Sequence, residues 1–310
     1  MTEAIFHIRR VGPLCSIQDG GRPGFARFGV PASGAMDRPA LALANAALGN
    51  LARAAAIEVS IGGLQMDLVQ GSLTIAIAGG GFIVETGGQK HGSWTVLTLK
   101  PGQRLTIRPG PWGSWTYLAF AGTLLAPDWL GAKATHAASG LGGGILATGG
   151  TLTVTEAKTR PLCEGPIPCP IWARPPAELL FVLGPQDRFF APETLDLFLT
   201  QPFRMTQSYD RMGIRLAGPN LPPKDALAIP SEPLLRGAVQ VSGDGVATIL
   251  MADHQTTGGY PKIATLPGPE TDRLAQARPG TAFRFRAVTP EAALHLTRQR
   301  AAALDACLTR

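Results

Sequence analysis

The sequence predicts a mainly β protein with a few helices, built as two β-rich halves of similar size. Three observations carry this. Short runs rich in β-branched and aromatic residues recur along the whole chain between turn signals. Glycine (38) and proline (27) make up about a fifth of the 310 residues without any collagen period, while 45% of residues are hydrophobic. Such a chain is folded and turn-rich, because a disordered one is not that apolar. Only 16% of residues are charged, which leaves little material for long solvated helices.

Taken in order, the first clear helix signal is Met36–Leu48. Asp37 can cap it, Pro39 is tolerated in its first turn and Gly49-Asn50 ends it. Leu41, Ala44 and Leu48 mark an apolar face, toward which Asn45 also points, where its amide needs partners. Strands follow at Ser72–Ala78, Thr95–Leu99, Arg104–Arg108, Thr116–Ala121 and Thr151–Val154. Thr159–Pro176 then carries six prolines and no periodicity, and the domain boundary falls there, giving residues 1–165 and 170–310. The second half repeats the texture at Glu178–Leu183, Ala238–Val241, Thr248–Met251, Lys262–Leu266 and Ala282–Arg286, with helices at Glu193–Leu199 and Pro290–Leu308. Two β-barrel-like domains fit this pattern better than a strand–helix alternation.

Several functions are excluded. The net charge of +6 comes from scattered residues, so no nucleic-acid surface is built. Cys15, Cys163, Cys169 and Cys307 share no metal spacing and read as free thiols of a reducing cytosol. No signal peptide opens the chain, and the longest apolar run, near Leu73–Val84, is too short to span a bilayer. A cytoplasmic protein is expected. Walker-type, zinc-protease and nucleophile-elbow motifs are absent, no metal site is expected, and Gly140-Leu141-Gly142-Gly143-Gly144 reads as turn glycines.

Three polar segments remain. Gln18-Asp19-Gly20-Gly21-Arg22 followed by Ser33-Gly34-Ala35-Met36-Asp37 places an arginine fork and a helix N-terminus among glycines, which suits a small polar or anionic ligand. On spacing alone, an ordered loop with an Asp19–Arg22 ion pair and an Asp37 cap is the better account. Asp253-His254-Gln255-Thr256-Thr257-Gly258-Gly259-Tyr260 leaves a strand end, with Gly258-Gly259 permitting a tight reversal into the next strand. Asp253 and His254 are acid–base candidates, but as neighbours on a strand they face opposite ways. Asp210-Arg211-Met212-Gly213-Ile214-Arg215 reads either as a second anion clamp or as a twisted strand with solvated arginines.

Together, in this order, these segments resemble the allophanate hydrolase subunit 2 family, also called the biotin-dependent carboxyltransferase family. Ala44-Asn45, Gly49-Asn50, Ile57-Glu58-Val59-Ser60-Ile61-Gly62-Gly63, Ser231-Glu232 and Gly237-Ala238-Val239-Gln240-Val241 extend the match over about Phe6 to Arg286. The chain departs from the family pattern at Gly144-Ile145 and Gly149-Gly150, where an arginine and an aspartate are usual.

The resemblance implies two cyclophilin-like β-barrel domains. It also implies the C component of an ATP-dependent 5-oxoprolinase, a hydrolase complex that opens 5-oxoproline to L-glutamate. The partners would be a B component of the allophanate hydrolase subunit 1 family and an A component of the LamB/YcsF family. The chain alone is then expected to bind no cofactor and to show little activity, with ATP used by the complex. Two alternatives remain. One is a carboxyltransferase moving a carboxyl group from carboxybiotin to urea, although no Met-Lys-Met biotin carrier sequence is present. The other is a non-catalytic, KipA-like regulator that binds a KipI-like subunit 1 homologue. Under the enzyme reading, Arg22, Asp37, Arg211, Asp253 and His254 are the catalytic candidates. Gln18, Ser33, Gly34, Met36, Asn45, Met212, Gln255, Thr256, Gly258, Gly259 and Tyr260 are the substrate-binding ones.

Overall fold

The computed structural model describes residues 2–184, 186–224 and 229–309. The chain divides into two compact units. The N-terminal unit takes the residues up to Arg22, then Ser33–Arg174 and the C-terminal residues from Cys307; Pro23–Ala32 and Pro175–Ala306 form the second unit.

The N-terminal unit runs β1 (Glu3–Val11), β2 (Ser16–Gln18), α1 (Arg38–Ala46), β3 (Ala56–Ser60), β4 (Leu64–Gln70), β5 (Leu73–Ala78), β6 (Gly81–Thr86) and β7 (Gln89–Gly92). It continues with β8 (Thr95–Leu99), β9 (Arg104–Trp112), β10 (Trp115–Phe120), β11 (Thr123–Leu124), β12 (Thr151–Thr155) and β13 (Gly165–Pro166). A seven-stranded sheet has the order β11-β12-β1-β4-β9-β6-β7, and a six-stranded sheet the order β13-β8-β5-β10-β3-β2. One apolar core joins residues of both sheets, among them Phe6, Met66, Ile75, Ile77 and Phe120, all fully buried. In β1 and β4 every second residue is buried, so one face of the large sheet meets this core. β5 and β10 are buried along their whole length, which explains their unbroken apolar runs.

The second unit runs β14 (Glu178–Leu183), α2 (Pro192–Thr200), β15 (Phe203–Tyr209), β16 (Gly213–Ala217), β17 (Glu232–Pro233), β18 (Ala238–Val241), β19 (Ala247–Leu250), β20 (Thr257–Gly258) and β21 (Lys262–Thr265). α3 (Gly268–Ala275), β22 (Ala282–Ala287) and α4 (Pro290–Leu308) complete the chain's elements. Seven strands close a barrel in the order β14-β21-β18-β19-β16-β15-β22, shut by parallel pairing of β22 with β14. Closure removes the sheet edges. Phe181, Phe198, Phe203 and Phe285 form an aromatic cluster, with Phe198 stacked on Phe285 at 4.5 Å between centroids.

One sequence expectation is corrected and one helix is added. β19 and β21 do not form a hairpin through Gly258-Gly259: both pair with β18, on opposite sides. The connection must therefore cross two strand spacings, and it uses its length to do so, pairing β20 with β17 on the way. Helix α3 has no counterpart among the helices expected from the sequence. Prolines are compatible with a first helical turn, and Leu274 and Ala275 are buried. Among the described residues no helix is long and apolar enough to cross a membrane.

Candidate functional site

In the N-terminal unit the polar motif is tied down by backbone contacts. Asp19 and Arg22 do not form the ion pair that their spacing allows. Asp19 instead accepts from the Gly21 N–H at 2.8 Å and the Lys133 N–H at 2.6 Å. Arg22 is 2% exposed, donates to the carbonyls of Trp129 and Ala134, and lies over the Trp129 ring. Gln18 donates to Ser16 Oγ and to the Thr135 carbonyl. The motif thus fastens β2 and the following turn to the 129–135 loop. These contacts hold the Arg22 guanidinium against the 129–135 loop through Nε and Nη2.

That loop path ends at the N-terminus of α1. Asp37 caps the helix by accepting from the Ala40 N–H at 3.1 Å. The backbone N–H of Met36 donates to Glu58 at 2.8 Å, and that of Asp37 to the Tyr117 hydroxyl at 2.7 Å. The hydroxyl in turn donates to Glu58 at 2.7 Å. Burial first, then the charges of Glu58 and Asp37, push the Tyr117 phenol well above its ordinary value, so it remains a donor at neutral pH. Beside this chain, Gly34 has φ +86°, and a Cβ there would stand 3.0 Å from the Gly21 nitrogen. Ser33 holds φ +52°, a strained conformation for a residue with a Cβ. Its hydroxyl and the Gln18 side-chain carbonyl oxygen are buried with no hydrogen-bond partner among the described residues. Such orphaned groups are costly unless a ligand or water meets them. Asn45 is a different case. It is fully buried and satisfied by Leu41, Ala54 and Asn50, so it braces the loop after α1.

In the second unit, Arg211 and Asp253 meet in a bidentate ion pair at 2.9 and 3.0 Å, each 3% exposed. The pair joins the turn before β16 to the turn after β19, which also share a 2.7 Å bond from the Asp253 N–H to the Arg211 carbonyl. His254 turns away from Asp253 and is half-buried. Its Nδ1 lies 2.7 Å from the Gln255 carbonyl. A carbonyl only accepts, so Nδ1 carries the proton and Nε2 keeps its lone pair in the neutral ring. Burial pulls this imidazole below its ordinary value, which keeps it a neutral base at pH 7.

Next to these turns the barrel wall carries an open groove of about 380 Å³. Met212, Gln255 and Tyr260 line it, as do Gln240, Arg215 and Asp210. The Gln240 amide donates to the Tyr260 carbonyl, and the Gln255 amide to Gln240, both at 3.4 Å. Gly258 lies beside Gln240, and a Cβ on it would come 3.1 Å from that amide nitrogen. Thr256 and Gly259 do not line the groove; the Thr256 carbonyl accepts from the Leu234 N–H.

Glu58 and Tyr117 were missed as site residues. A lone glutamate between Ile57 and Val59 in an apolar run is the signal that marks a buried acid. Gln240 was missed for the same reason, as an amide inside Ala238-Val239-Gln240-Val241. Among the described residues no three His, Cys, Asp or Glu side chains are grouped to hold a metal ion.

Comparison with known proteins accords with this architecture. The family model described as "Carboxyltransferase domain, subdomain A and B" matches residues 28–287. The C component of the 5-oxoprolinase of Escherichia coli (strain K12) is 34% identical over 292 residues, covering 93% of this chain and 92% of that protein. The solved structure of TTHA0988 superposes with a TM-score of 0.81 at 31% identity, covering 91% of this chain and 55% of that one. The urea carboxylase of Kluyveromyces lactis shares the fold, with a TM-score of 0.87 at 23% identity; the match covers 99% of this chain and 29% of that one. The chain spans only part of both solved proteins. With the model matching most of its length, this chain belongs to the carboxyltransferase-domain family built of subdomains A and B.

Proposed function

We propose that the chain is the C component of an ATP-dependent 5-oxoprolinase, working in the cytoplasm with partners of the allophanate hydrolase subunit 1 and LamB/YcsF families. The observation that carries this reading is the end-to-end match to the corresponding 5-oxoprolinase component, over more than nine-tenths of both chains. The urea carboxylase match covers under a third of that protein and speaks for the fold alone.

The chemistry of the groove supports the reading. A lactam presents one C=O and one N–H on the same side, next to a carboxylate. The exposed Gln255 carboxamide, held by the buried Gln240, offers a donor and an acceptor to such an edge, and Arg215, paired with Asp244 at 2.9 Å, brings positive charge for the carboxylate. The lactam carbonyl is unreactive until its oxygen becomes a leaving group, and phosphoryl transfer from ATP within the complex supplies one. His254 does not line the groove but follows the turn beside it, and its Nε2 is the group we assign to water activation. The buried Ser33 hydroxyl and Gln18 carbonyl oxygen, without hydrogen-bond partners among the described residues, are further candidates to meet a polar group of a ligand.

The test is co-purification of the chain with its LamB/YcsF-family and subunit 1-family partners, followed by ATP-dependent glutamate release from 5-oxoproline. Arg215→Ala and Gln255→Ala lie on exposed positions and are expected to raise KM for 5-oxoproline with the fold unchanged. Absence of turnover by the full set, together with urea-dependent decarboxylation of carboxybiotin, would establish the carboxyltransferase alternative instead.

A further inference from the structure

We infer that Cys163 and Cys307 form a redox pair that closes to a disulfide when the chain meets a small-molecule disulfide. Of the four cysteines, these two line one cavity of about 300 Å³ in the N-terminal unit. Apolar residues make up much of the rest of its wall: Leu43 of α1, Ala47 just after it, Val96 of β8, Ile167 and Leu308. A disulfide draws its Cα atoms to about 4.4–6.8 Å, and the flanks of both cysteines permit movement toward that separation. Cys307 lies in the last turn of α4, where helices fray. Cys163 ends a single helical turn, Pro161–Cys163, in the proline-rich run that has no strand partner beyond two residues of β13.

The exposures assign the order of events. Cys163 is exposed and Cys307 half-buried. Cys163 thiolate attacks a low-molecular-weight disulfide such as oxidised glutathione, forming a mixed disulfide and releasing one glutathione thiol. Cys307 thiolate then attacks the Cys163 sulfur and displaces the second. The two cysteines lose two protons and two electrons, and the electrons end on the two glutathione thiols. The other cysteines are placed differently. Cys15 is fully buried, contacts Ser60 and the Gly63 carbonyl, and has its pKa pushed up by burial. Cys169 points its sulfur at its neighbour's carbonyl.

The experiment treats the full chain with oxidised glutathione and maps its cysteines by mass spectrometry without reduction. The expected product is an intramolecular Cys163–Cys307 bond, with the mass lowered by two hydrogens and restored by dithiothreitol. Cys307→Ser should instead accumulate a stable glutathione adduct on Cys163, Cys163→Ser should give no cross-link, and Cys169→Ser should behave as the unsubstituted chain. Thermal unfolding under reducing conditions verifies that each variant is folded. A persistent Cys163–glutathione adduct in the unsubstituted chain with Cys307 free, or a bond mapped to Cys169, overturns the inference.

Discussion

Replacing Asp253 with alanine separates a scaffold role for the Arg211–Asp253 pair from a catalytic one. Both side chains are 3% exposed and joined by two hydrogen bonds. Truncating one partner leaves a guanidinium buried without its counter-charge, at a cost of ~3–5 kcal/mol. For a unit of this size a urea m-value of ~1.5 kcal/mol/M converts that to a midpoint lowered by ~2–3 M. Replacing both residues by apolar ones of similar volume, Arg211→Met with Asp253→Leu, removes the stranded charge and is expected to recover most of the loss. The assay exploits the sequence: all five tryptophans precede Pro175 and so lie in the N-terminal unit. Tryptophan fluorescence follows that unit, and circular dichroism follows both. The destabilisation is expected as an early phase in dichroism that fluorescence does not share. A midpoint moved by less than ~0.5 M in Asp253→Ala, with glutamate release abolished, would refute the scaffold reading and return both groups to the reaction.

Other outcomes follow from the same geometry. Asn45→Ala strips bonds to two carbonyls and to Asn50 from a fully buried site, and should cost about 2 kcal/mol, read as a lowered thermal midpoint. Glu58→Ala removes the acceptor of the Tyr117 hydroxyl and of the Met36 N–H, and about 2–4 kcal/mol of lost stability is expected from chemical denaturation. His254 has a folded pKa below its unfolded value of ~6.5, so protonation favours the unfolded chain. Its contribution is complete above that value and lost as pH falls below it, and His254→Gln should flatten a stability–pH profile between about pH 5 and 7. Asp67 is held at about 2 by hydrogen bonding to Arg104, partly offset by desolvation, and further by Arg9. Its contribution is present above the ordinary carboxylate value and lost as pH falls through about 2; because both arginines are exposed, high salt should weaken it.

What the sequence made legible was period and punctuation. The capped helix at Asp37, the helices beginning near Pro192 and Pro290, and the strands at Leu73, Thr95 and Glu178 all follow from local side-chain pattern and turn residues, which act within a few positions. The roles of the polar residues were not legible, because they depend on what the fold brings from far along the chain. The two carbonyls and the indole that meet Arg22 come from the 129–135 loop, more than a hundred positions further along. Asp253 meets Arg211 only because β16 and β19, distant in sequence, pair side by side. The reverse error has the same origin. Glu58 and Gln240 sit in apolar strands and attract no notice, yet burial makes each decisive: a polar group there must either have a partner or hold something in place. The motif residues thus divide by satisfaction. Arg211, Asp253 and Asn45 close their hydrogen bonds within the chain and build the frame. Ser33, Gln18, Gln255 and the Nε2 atom of His254 retain capacity for more, and the search for bound substrate begins with them.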